Sequence, residues 1–362
     1  MSTKFQPAES WLSPRLEPGS LILISGVTGL VGAAQAKLLL DIGYKVRGTT
    51  RKAASAAQLI DHFHTTYGKG AFEVVEVEDG SKEQSWTSAF QGVDGFVHIA
   101  TDMSAFYSDK PAKEVVDGVV DLTLAVLKAA AKTPSVRSGV LTSSGIAVHY
   151  PQEGVEETVD IKTRYNDAMA NMAFTAAKDD PRLGLYTYTA TKVAADKRAF
   201  EFVKTDKPGY AFNVIAPDLV IGSIYNPDPS RRYSSVSMLQ DYYLGKNQGL
   251  LMAVRANSHF VSVDDVARIQ AAALLQPDVD MERLWGASHT FTLPEIHRAM
   301  ESFSKGTKTF SDPEAEAGAK AYIAHIDNSR SLELVRRLGR PGLQSLEESV
   351  AAALEDVERR SG

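Results

Sequence analysis

The stretch Leu21–Gly32, which reads LILISGVTGLVG, decides the fold of this chain. Its apolar first half is typical of a buried strand, and its second half places three glycines at intervals of three residues. An Ala- and Leu-rich segment typical of a helix follows to about Asp41, and a second strand-like segment, Tyr44–Thr50, ends at Arg51 and Lys52. A strand, a glycine turn, a helix and a strand in this order predict the first βαβ unit of a dinucleotide-binding sheet.

Each glycine of this turn has a mechanical role. Gly26 allows the tight turn out of the strand, Gly29 lets the backbone approach a pyrophosphate, and Gly32 lets the helix pack closely on the sheet. The free N–H groups and the positive dipole end of the helix N-terminus then attract phosphate. A lone glycine motif is weak evidence, but the strand before it and the helix after it favour a cofactor site over a simple turn.

The composition is that of an ordinary soluble globular enzyme. Of 362 residues, 44% are hydrophobic and 23% are charged, and there is no cysteine, which excludes disulfides and thiolate chemistry. A formal net charge of −6 argues against a general binder of nucleic acid or of anionic membranes. No apolar run approaches the roughly 20 residues that span a bilayer, and residues 1–20 lack the apolar core of a secretory signal. We therefore expect a cytoplasmic protein without membrane contact.

Strand-like and helix-like segments alternate along most of the chain, which predicts an α/β fold with a doubly wound parallel sheet. Strands are predicted at 21–24, 44–50, 72–77, 95–100, 136–142 and 211–216, and helices at 53–64, 81–90, 112–132 and 186–204. We expect an N-terminal arm over 1–20, a dinucleotide-binding domain with the catalytic residues over 21–217, and a mainly substrate-binding lobe over 218–362, with some segments returning to the first domain. Long loops over 101–116, 145–185 and 218–258 are expected to surround the substrate.

The segment Tyr188-Thr189-Ala190-Thr191-Lys192 places candidate chemistry on a predicted helix. Side chains four residues apart share a helix face, so the phenol and the ammonium point into the same space. A nearby cation favours tyrosinate, and we expect it to lower the pKa of Tyr188 toward the working pH. Such a tyrosine can give a proton to a carbonyl oxygen while hydride reaches the carbon. The pair is common on helices, so its meaning depends on its place in the fold.

Several motifs in one order resemble those of extended short-chain dehydrogenases/reductases from Pro18 to about Glu358. The chain more closely resembles the branch that contains dihydroflavonol reductase, cinnamoyl-CoA reductase and fungal NADPH-dependent aldehyde and ketone reductases. The motifs are the glycine turn, Thr142-Ser143-Ser144, Tyr188 with Lys192, Phe212–Pro217, His98-Ile99-Ala100, Phe260–Ala267 and Leu338–Gly342. The resemblance implies a Rossmann-type doubly wound parallel sheet with a smaller C-terminal substrate lobe.

The resemblance also implies roles for the matching residues. Ser144 would polarise a substrate carbonyl, Tyr188 would donate the proton, and Lys192 would hold the nicotinamide ribose and lower the pKa of Tyr188. Ser144 is preferred over Ser143 because it ends the strand motif. The residues expected to contact the cofactor are Gly26, Thr28, Gly29, Leu30, Val31, Gly32, Arg51, Lys52, Asp79, Ala100, Thr101, Tyr188, Lys192, Pro217, Leu219 and Val220. Of these, Asp79 would contact the adenine and the last three would flank the nicotinamide.

The charges at the end of the second strand favour NADP(H) over NAD(H). Sites specific for NAD place a carboxylate there to bind the ribose 2′-hydroxyl. This sequence has no acid between Arg47 and Ala57 and has Arg51 and Lys52 instead. The fork of an arginine matches a 2′-phosphate. The alternative is that Arg51 is only a solvated charge at the end of a strand.

These features predict NADPH-dependent reduction of an aldehyde or ketone to the alcohol. A nucleotide-sugar epimerase or dehydratase on the same scaffold is the first alternative, although Gly145-Ile146 after Ser144 lacks the acidic pair typical of dehydratases. A regulator that binds NADP(H) without turnover is the second. We expect a small carbonyl substrate, no nucleic-acid partner and a monomer or homodimer.

No metal site is expected from the histidines. His62 and His64 are two residues apart on a predicted helix and so face different directions. His98 lies within an apolar strand, where a hydrogen-bonded core histidine is the simpler interpretation.

Overall fold

The segment that opens the chain's first βαβ unit forms an interior strand of a seven-stranded parallel sheet. The structure is a computed structural model, and it describes residues 7–106, 109–152, 154–246, 259–311 and 322–361. The strands are β1 (Leu21–Ser25), β2 (Lys45–Thr50), β3 (Phe72–Glu76), β4 (Gly95–His98), β5 (Ser138–Thr142), β6 (Glu156–Val159), β7 (Ala211–Pro217), β8 (Leu219–Ile221), β9 (Phe260–Ser262), β10 (Arg283–Gly286) and β11 (Ile323–Ile326). The main sheet has the order β10-β7-β5-β4-β1-β2-β3, which confirms the predicted doubly wound fold.

Ten α-helices connect or flank these strands in the described part of the chain. They are α1 (Leu30–Asp41), α2 (Ala57–Tyr67), α3 (Ala112–Ala131), α4 (Asp167–Thr175), α5 (Leu183–Asp206), α6 (Ser234–Tyr243), α7 (Val263–Leu275), α8 (Leu293–Phe303), α9 (Ser329–Arg337) and α10 (Leu346–Ser361). None of the helices in the described ranges is long and apolar enough to cross a membrane.

Alternation along each strand divides the core into two layers. Ile22 and Ile24 of β1 point to the side covered by α1, α7 and α9, whereas Leu23 points to the side covered by α3 and α5. Side chains on successive strand residues face opposite sides, and both sides of this sheet are covered. The near-continuous apolar run of β1 is therefore explained by its burial on both faces.

The predicted helix over 81–90 is wrong. Only a 3₁₀ turn, Glu83–Trp86, forms there. Its Trp86 is buried and donates from Nε1 to the carbonyl oxygen of Gly80 at 2.8 Å. Phe90 is also buried beside it, and the two rings contact each other. A short 3₁₀ turn and the irregular turn after it therefore suffice to bury both rings without a helix.

A smaller lobe forms from later parts of the chain. Strands β8 and β9 pair in parallel, and α6, α8 and α10 pack around a common apolar cluster beside them. Strand β10 returns to the main sheet and pairs with β7. The division at 217/218 stays a prediction. Residues 247–258 of the expected substrate loop, and residues 107 and 108 of the loop over 101–116, lie outside the described residues.

The described part of the N-terminal arm packs on the main body. Leu16 is fully buried in the core, and its carbonyl oxygen accepts a hydrogen bond from the Tyr44 hydroxyl at 2.7 Å. The Arg15 guanidinium donates to backbone carbonyl oxygens of Pro277 and Val279. The arm is therefore held by apolar contacts of Leu16 and Trp11 and by hydrogen bonds.

Candidate active site

The glycine turn after β1 leaves no room for side chains at two positions. Gly26 has φ +68°, and a Cβ there would lie 3.1 Å from the Cα of Ala100. A Cβ at Gly32 would overlap the backbone carbonyl of Gly26. Gly29 is the N-cap of α1 and provides no side-chain cap, so the helix N-terminus keeps backbone donors for a ligand. The geometry agrees with the roles expected for the first and third glycines.

A buried serine ties the ends of β1 and β4 together beside this turn. The Ser25 hydroxyl oxygen accepts hydrogen bonds from the amides of Ile99 and Ala100 at 2.9 and 3.0 Å. It also lies 2.7 Å from His98 Nδ1. Burial, helped by the charge of Lys192, lowers the pKa of His98 to about 3, so this histidine is neutral. Its Nε2 atom has no hydrogen-bond partner, so the predicted core histidine is only half satisfied.

The structure brings Ser144, Tyr188 and Lys192 together. Ser144 follows β5 and is the N-cap of the 3₁₀ turn Gly145–Ala147, while the other two residues lie on α5. The Ser144 hydroxyl lies close enough to the Tyr188 phenol to affect its pKa. Lys192 Nζ lies 5.8 Å from the centre of the Tyr188 ring and donates to the carbonyl oxygen of Thr142 at 3.4 Å. Residues far apart in sequence thus form one polar cluster at the carboxyl end of β5.

The pKa of Tyr188 is raised, so the prediction that Lys192 would lower it is wrong. Burial of the phenol is the largest cause of the increase in its pKa, and the nearby Ser144 hydroxyl offsets part of it. Burial also lowers the pKa of Lys192 to about 8, while the charge of Asp196 acts in the opposite direction. The desolvation of both groups outweighs the attraction that the sequence pattern suggested. Tyr188 is therefore a protonated phenol near neutral pH.

The two serines at the end of β5 have different surroundings. Ser143 is buried, and its hydroxyl donates to Asp196 Oδ2 at 3.0 Å. The same carboxylate forms a buried ion pair with the Arg283 guanidinium, at 2.9 Å from Nε and 2.8 Å from Nη2. The Ser143 hydroxyl is therefore already used in a buried network with Asp196 and Arg283, whereas Ser144 faces Tyr188. This geometry favours Ser144 as the residue that contacts substrate.

Phe106 covers the candidate tyrosine, and sequence reasoning missed it. The two rings stack with centroids 4.5 Å apart and an interplanar angle of 29°. Gly184 permits the close approach, because a Cβ there would lie 2.5 Å from the Phe106 carbonyl oxygen. A lone phenylalanine in a loop carries no signal that would identify this contact from the sequence.

The expected adenosine end of the cofactor site is open and carries cations. Arg51 and Lys52 are exposed just after β2. The structure also brings an acid that the sequence pattern did not place there: Glu76 of β3 lies beside Thr50, and its carboxylate accepts from the Ala53 amide at 2.7 Å. One oxygen of this carboxylate is therefore held by the backbone.

Asp79, the expected adenine contact, lies just beyond β3. Its carboxylate accepts from the Ser81 hydroxyl at 2.6 Å and pairs with Lys82 Nζ at 2.8 Å. These hydrogen bonds, the one with Lys82 first, lower the pKa of Asp79 to about 2. The carboxylate is ionised at neutral pH, and its contact with adenine stays a prediction.

The loop after β8 reaches back to the cofactor side of the main domain. Asn226 is buried and donates from Nδ2 to the carbonyl oxygen of Thr28 at 3.0 Å, within the glycine turn. Arg231 donates from Nη2 to the carbonyl oxygen of Ser55 at 2.7 Å, near the end of β2. Neither residue stands in a recognisable motif, and their positions depend on the path of the loop.

Three expected nicotinamide neighbours lie at the end of β7 and in β8. Pro217 ends β7 and packs against Gly286, where an added Cβ would lie 2.8 Å from the Pro217 Cα. Leu219 and Val220 are half-buried in β8. Thr101, which lies just after β4, has a buried hydroxyl with no hydrogen-bond partner.

Comparison with known proteins identifies the family. The model of the NAD dependent epimerase/dehydratase family matches residues 22–283. The chain belongs to this family.

Members of the family with high similarity support the resemblance seen in the motifs. Aldehyde reductase 2 of Sporidiobolus salmonicolor is 33% identical over 337 residues, which cover 92% of this chain and 95% of that protein. Ketoreductase nvfG of Aspergillus novofumigatus is 30% identical over 338 residues, which cover 93% and 96%. Yeast methylglyoxal/isovaleraldehyde reductase Gre2, solved with NADPH, has the same fold, with a TM-score of 0.75, 21% identity and coverage of 94% and 99%. The expected extended short-chain reductase family is confirmed.

Proposed function

We propose that this protein reduces an aldehyde or ketone to the alcohol with NADPH, and that Tyr188 supplies the proton. The observation that carries the proposal is the convergence of Ser144, Tyr188 and Lys192 beside a glycine turn suited to a dinucleotide. Its similar relatives are named aldehyde reductase and ketoreductase, and a protein of the same fold was solved with NADPH. The protein is thus an NADP-dependent oxidoreductase.

The residues present fit a nicotinamide dinucleotide. The glycine turn has no Cβ where the backbone must be approached closely, and α1 has no side-chain cap that would compete with a pyrophosphate. The buried Thr101 hydroxyl has no protein partner. Lys192 Nζ has three protons to donate and one long hydrogen bond, to Thr142. These donors match the phosphates and ribose hydroxyls of such a cofactor.

The charges at the end of β2 support NADPH as the form used. Arg51 and Lys52 are exposed there, and one oxygen of the nearby Glu76 carboxylate accepts from the Ala53 amide. A guanidinium can bind a 2′-phosphate through two parallel hydrogen bonds, whereas a free carboxylate would repel it. We assign Arg51 to that phosphate, with Lys52 beside it.

The site residues divide the work of a carbonyl reduction. NADPH, when bound, supplies the hydride. Ser144 donates a hydrogen bond to the carbonyl oxygen and so stabilises the charge that develops on it. Tyr188, protonated because its pKa is raised, gives its proton to that oxygen. Lys192 holds the ribose and stabilises the tyrosinate left behind. Phe106 covers the Tyr188 ring and limits the access of water from that side.

The test follows NADPH consumption by the full chain against a panel of aldehydes, α-ketoesters and aryl ketones. Tyr188→Phe removes the proton donor, and we expect turnover to fall about 10²–10⁴-fold while NADPH binding persists. Tyr186→Phe is the matched control, because Tyr186 lies on the same helix but packs within an apolar cluster. It should retain activity.

Three other results would refute the role of Tyr188 or favour one of the alternative functions. Full activity of Tyr188→Phe would refute its role as the proton donor. Tight NADPH binding without turnover on any carbonyl would favour a regulator. Release of NAD from the purified protein on mild denaturation would favour an epimerase, because such enzymes retain their cofactor through the cycle.

A further inference from the structure

Two histidines and an aspartate converge at a place that the proposed reaction does not use. His149 follows the 3₁₀ turn Gly145–Ala147, Asp218 follows β7, and His259 precedes β9. One ligand atom from each lies within 4.8 Å of the others. Both histidines are only 2% exposed, and Asp218 is half-buried. No spacing rule could find this cluster, because its members are dozens of residues apart.

The distances in this cluster are too long for ordinary hydrogen bonds. Asp218 Oδ2 lies 3.4 Å from His149 Nε2 and 3.8 Å from His259 Nδ1. Asp218 Oδ2 and His259 Nδ1 are both buried without a hydrogen-bond partner. Ligand atoms on a tetrahedral zinc ion with bonds of about 2.0–2.1 Å are separated by about 3.3–3.5 Å. The two separations from Asp218 are therefore near the spacing of ligands around a shared ion, and the ligand nitrogens of the two histidines lie within 4.8 Å of each other.

The other contacts of His149 show which of its two nitrogens is left to bind an ion. Its Nδ1 lies 2.8 Å from the Tyr322 hydroxyl, which in turn donates to Glu157 Oε1 at 2.8 Å. Because the tyrosine gives its one proton to the carboxylate, its oxygen accepts from His149 Nδ1, which therefore carries a proton. Nε2 is then the nitrogen left to bind a cation, and it lies 3.4 Å from Asp218 Oδ2.

His259 has a similar arrangement. Its imidazole lies close to the backbone of Ala324, and its buried Nδ1 has no hydrogen-bond partner. Two imidazole nitrogens and a carboxylate oxygen therefore lie together in a buried place where a cation could bind all three. Histidine ligands of metals commonly have their second nitrogen held by a carboxylate, a carbonyl or another acceptor in this way.

We propose that His149, Asp218 and His259 bind a divalent metal ion, with zinc the best match to two imidazoles and one carboxylate. The expectation of no metal site rested on local spacing, which does not apply to a cluster assembled by tertiary structure.

The position of the ion gives it a structural role next to the active site. Gly145 directly follows Ser144, and a Cβ at Gly145 would lie 3.0 Å from Asp218 Cγ. The His149 amide donates to the Gly145 carbonyl oxygen at 3.1 Å. An ion held by Asp218 and His149 would therefore brace the turn that carries Ser144 against the end of β7. Metal binding itself does not depend on the proposed reductase activity.

The experiment measures metal content and thermal stability of the full chain without a histidine tag. The protein is stripped with a chelator, loaded with ZnCl₂ and freed of unbound metal by dialysis. We expect about one zinc per chain and a rise in Tm of a few degrees, both reversed by chelator. Loading with Co²⁺ should give the visible absorption of a low-symmetry nitrogen and oxygen site.

His259→Gln and Asp218→Asn test the ligands, and His325→Gln is the matched control. His325 is exposed on β11, where Nε2 pairs with Glu156 at 2.8 Å. Metal retention and the Tm rise should be lost in the first two variants and kept in the control. Retention of zinc by His259→Gln would place the ion elsewhere and overturn the proposal. Absence of bound metal and of any Tm change in the unmutated protein would also overturn it, leaving a protonated histidine as the cation that pairs with Asp218.

Discussion

Lys192→Arg offers a sharp test of the electrostatics at the candidate active site. Lys192 is 6% exposed, and burial lowers its pKa to about 8 from the model-compound value of 10.5. At about 1.4 kcal/mol per pH unit, this decrease corresponds to a penalty of about 3 kcal/mol on the buried ammonium. The ammonium is therefore still charged at neutral pH but loses its proton close to pH 8.

This pKa predicts an alkaline limb in the rate. The value of kcat/KM for NADPH reports ionisations of the free enzyme. If the ammonium holds the ribose, kcat/KM should fall about tenfold per pH unit above about pH 8. Because the pKa of Tyr188 is raised, the phenol stays protonated in this range, and the limb belongs to Lys192. Arginine remains a cation throughout, so Lys192→Arg should remove the limb even where its overall rate is lower.

The contribution of Lys192 to the stability of the fold should rise with pH over the range in which the rate falls. The ammonium has a lower pKa in the folded than in the unfolded chain, so between about pH 8 and 10.5 the unfolded chain binds more protons. The contribution of Lys192 to the free energy of unfolding therefore rises with pH in this window. A loss of rate without a loss of Tm thus separates deprotonation of Lys192 from alkaline unfolding.

The assay measures initial rates of NADPH oxidation, with a thermal melt at each pH. Lys197→Arg is the matched control, because Lys197 lies on the same helix and pairs at the surface with Asp167. Its profile should equal that of the unmutated protein. Persistence of the limb at the same pH in Lys192→Arg would refute the assignment, as would a flat profile between about pH 7.5 and 9 in the unmutated protein.

Three further substitutions test other parts of the structure. Arg51→Glu should lower kcat/KM for NADPH at least about tenfold and raise it for NADH, and an unchanged ratio would remove Arg51 from the 2′-phosphate site. Gly32→Ala forces a methyl group onto the glycine-turn backbone and should cost about 1–3 kcal/mol in urea unfolding. Gly118→Ala is its control, because no atom outside the backbone of its own helix lies within 4 Å of the added Cβ. The free energy of unfolding of this control should stay the same or rise by up to about 1 kcal/mol. Equal losses in the two variants would contradict the packing argument. Arg283→Met leaves the Asp196 carboxylate buried without its charge partner and should cost about 3–5 kcal/mol, whereas a loss below about 1 kcal/mol would show that the pair is not needed.

Local sequence patterns correctly predicted the features that depend only on residues close together in the sequence. The glycine turn and the β1 pattern were sufficient for the first βαβ unit, because a positive φ and close backbone packing are requirements at single positions. The last helix begins at a capping box, in which Ser345 and Glu348 exchange hydrogen bonds at 2.9 and 3.2 Å. Such signals span only a few residues, so the sequence carries them directly.

Sequence patterns predicted secondary structure less reliably where more than one local structure can bury the same apolar residues. A helix was predicted over 81–90, but Trp86 reaches the core from a short 3₁₀ turn and Phe90 from the irregular turn after it. The direction of the Tyr188 pKa was also missed, because the effect of desolvation depends on how many atoms from other elements surround the phenol. The helical spacing of Tyr188 and Lys192 is a local property, and their burial is not.

The sequence by itself determined the parallel sheet, the glycine turn and the residue types from which the candidate site is built. Only the tertiary structure placed Phe106 on Tyr188, Asn226 on the glycine turn, and His149 with His259 around one carboxylate. The physical reason is the range of the interactions. Helix, strand and turn preferences arise between residues close in sequence, whereas these contacts join segments whose meeting depends on the path of the whole chain.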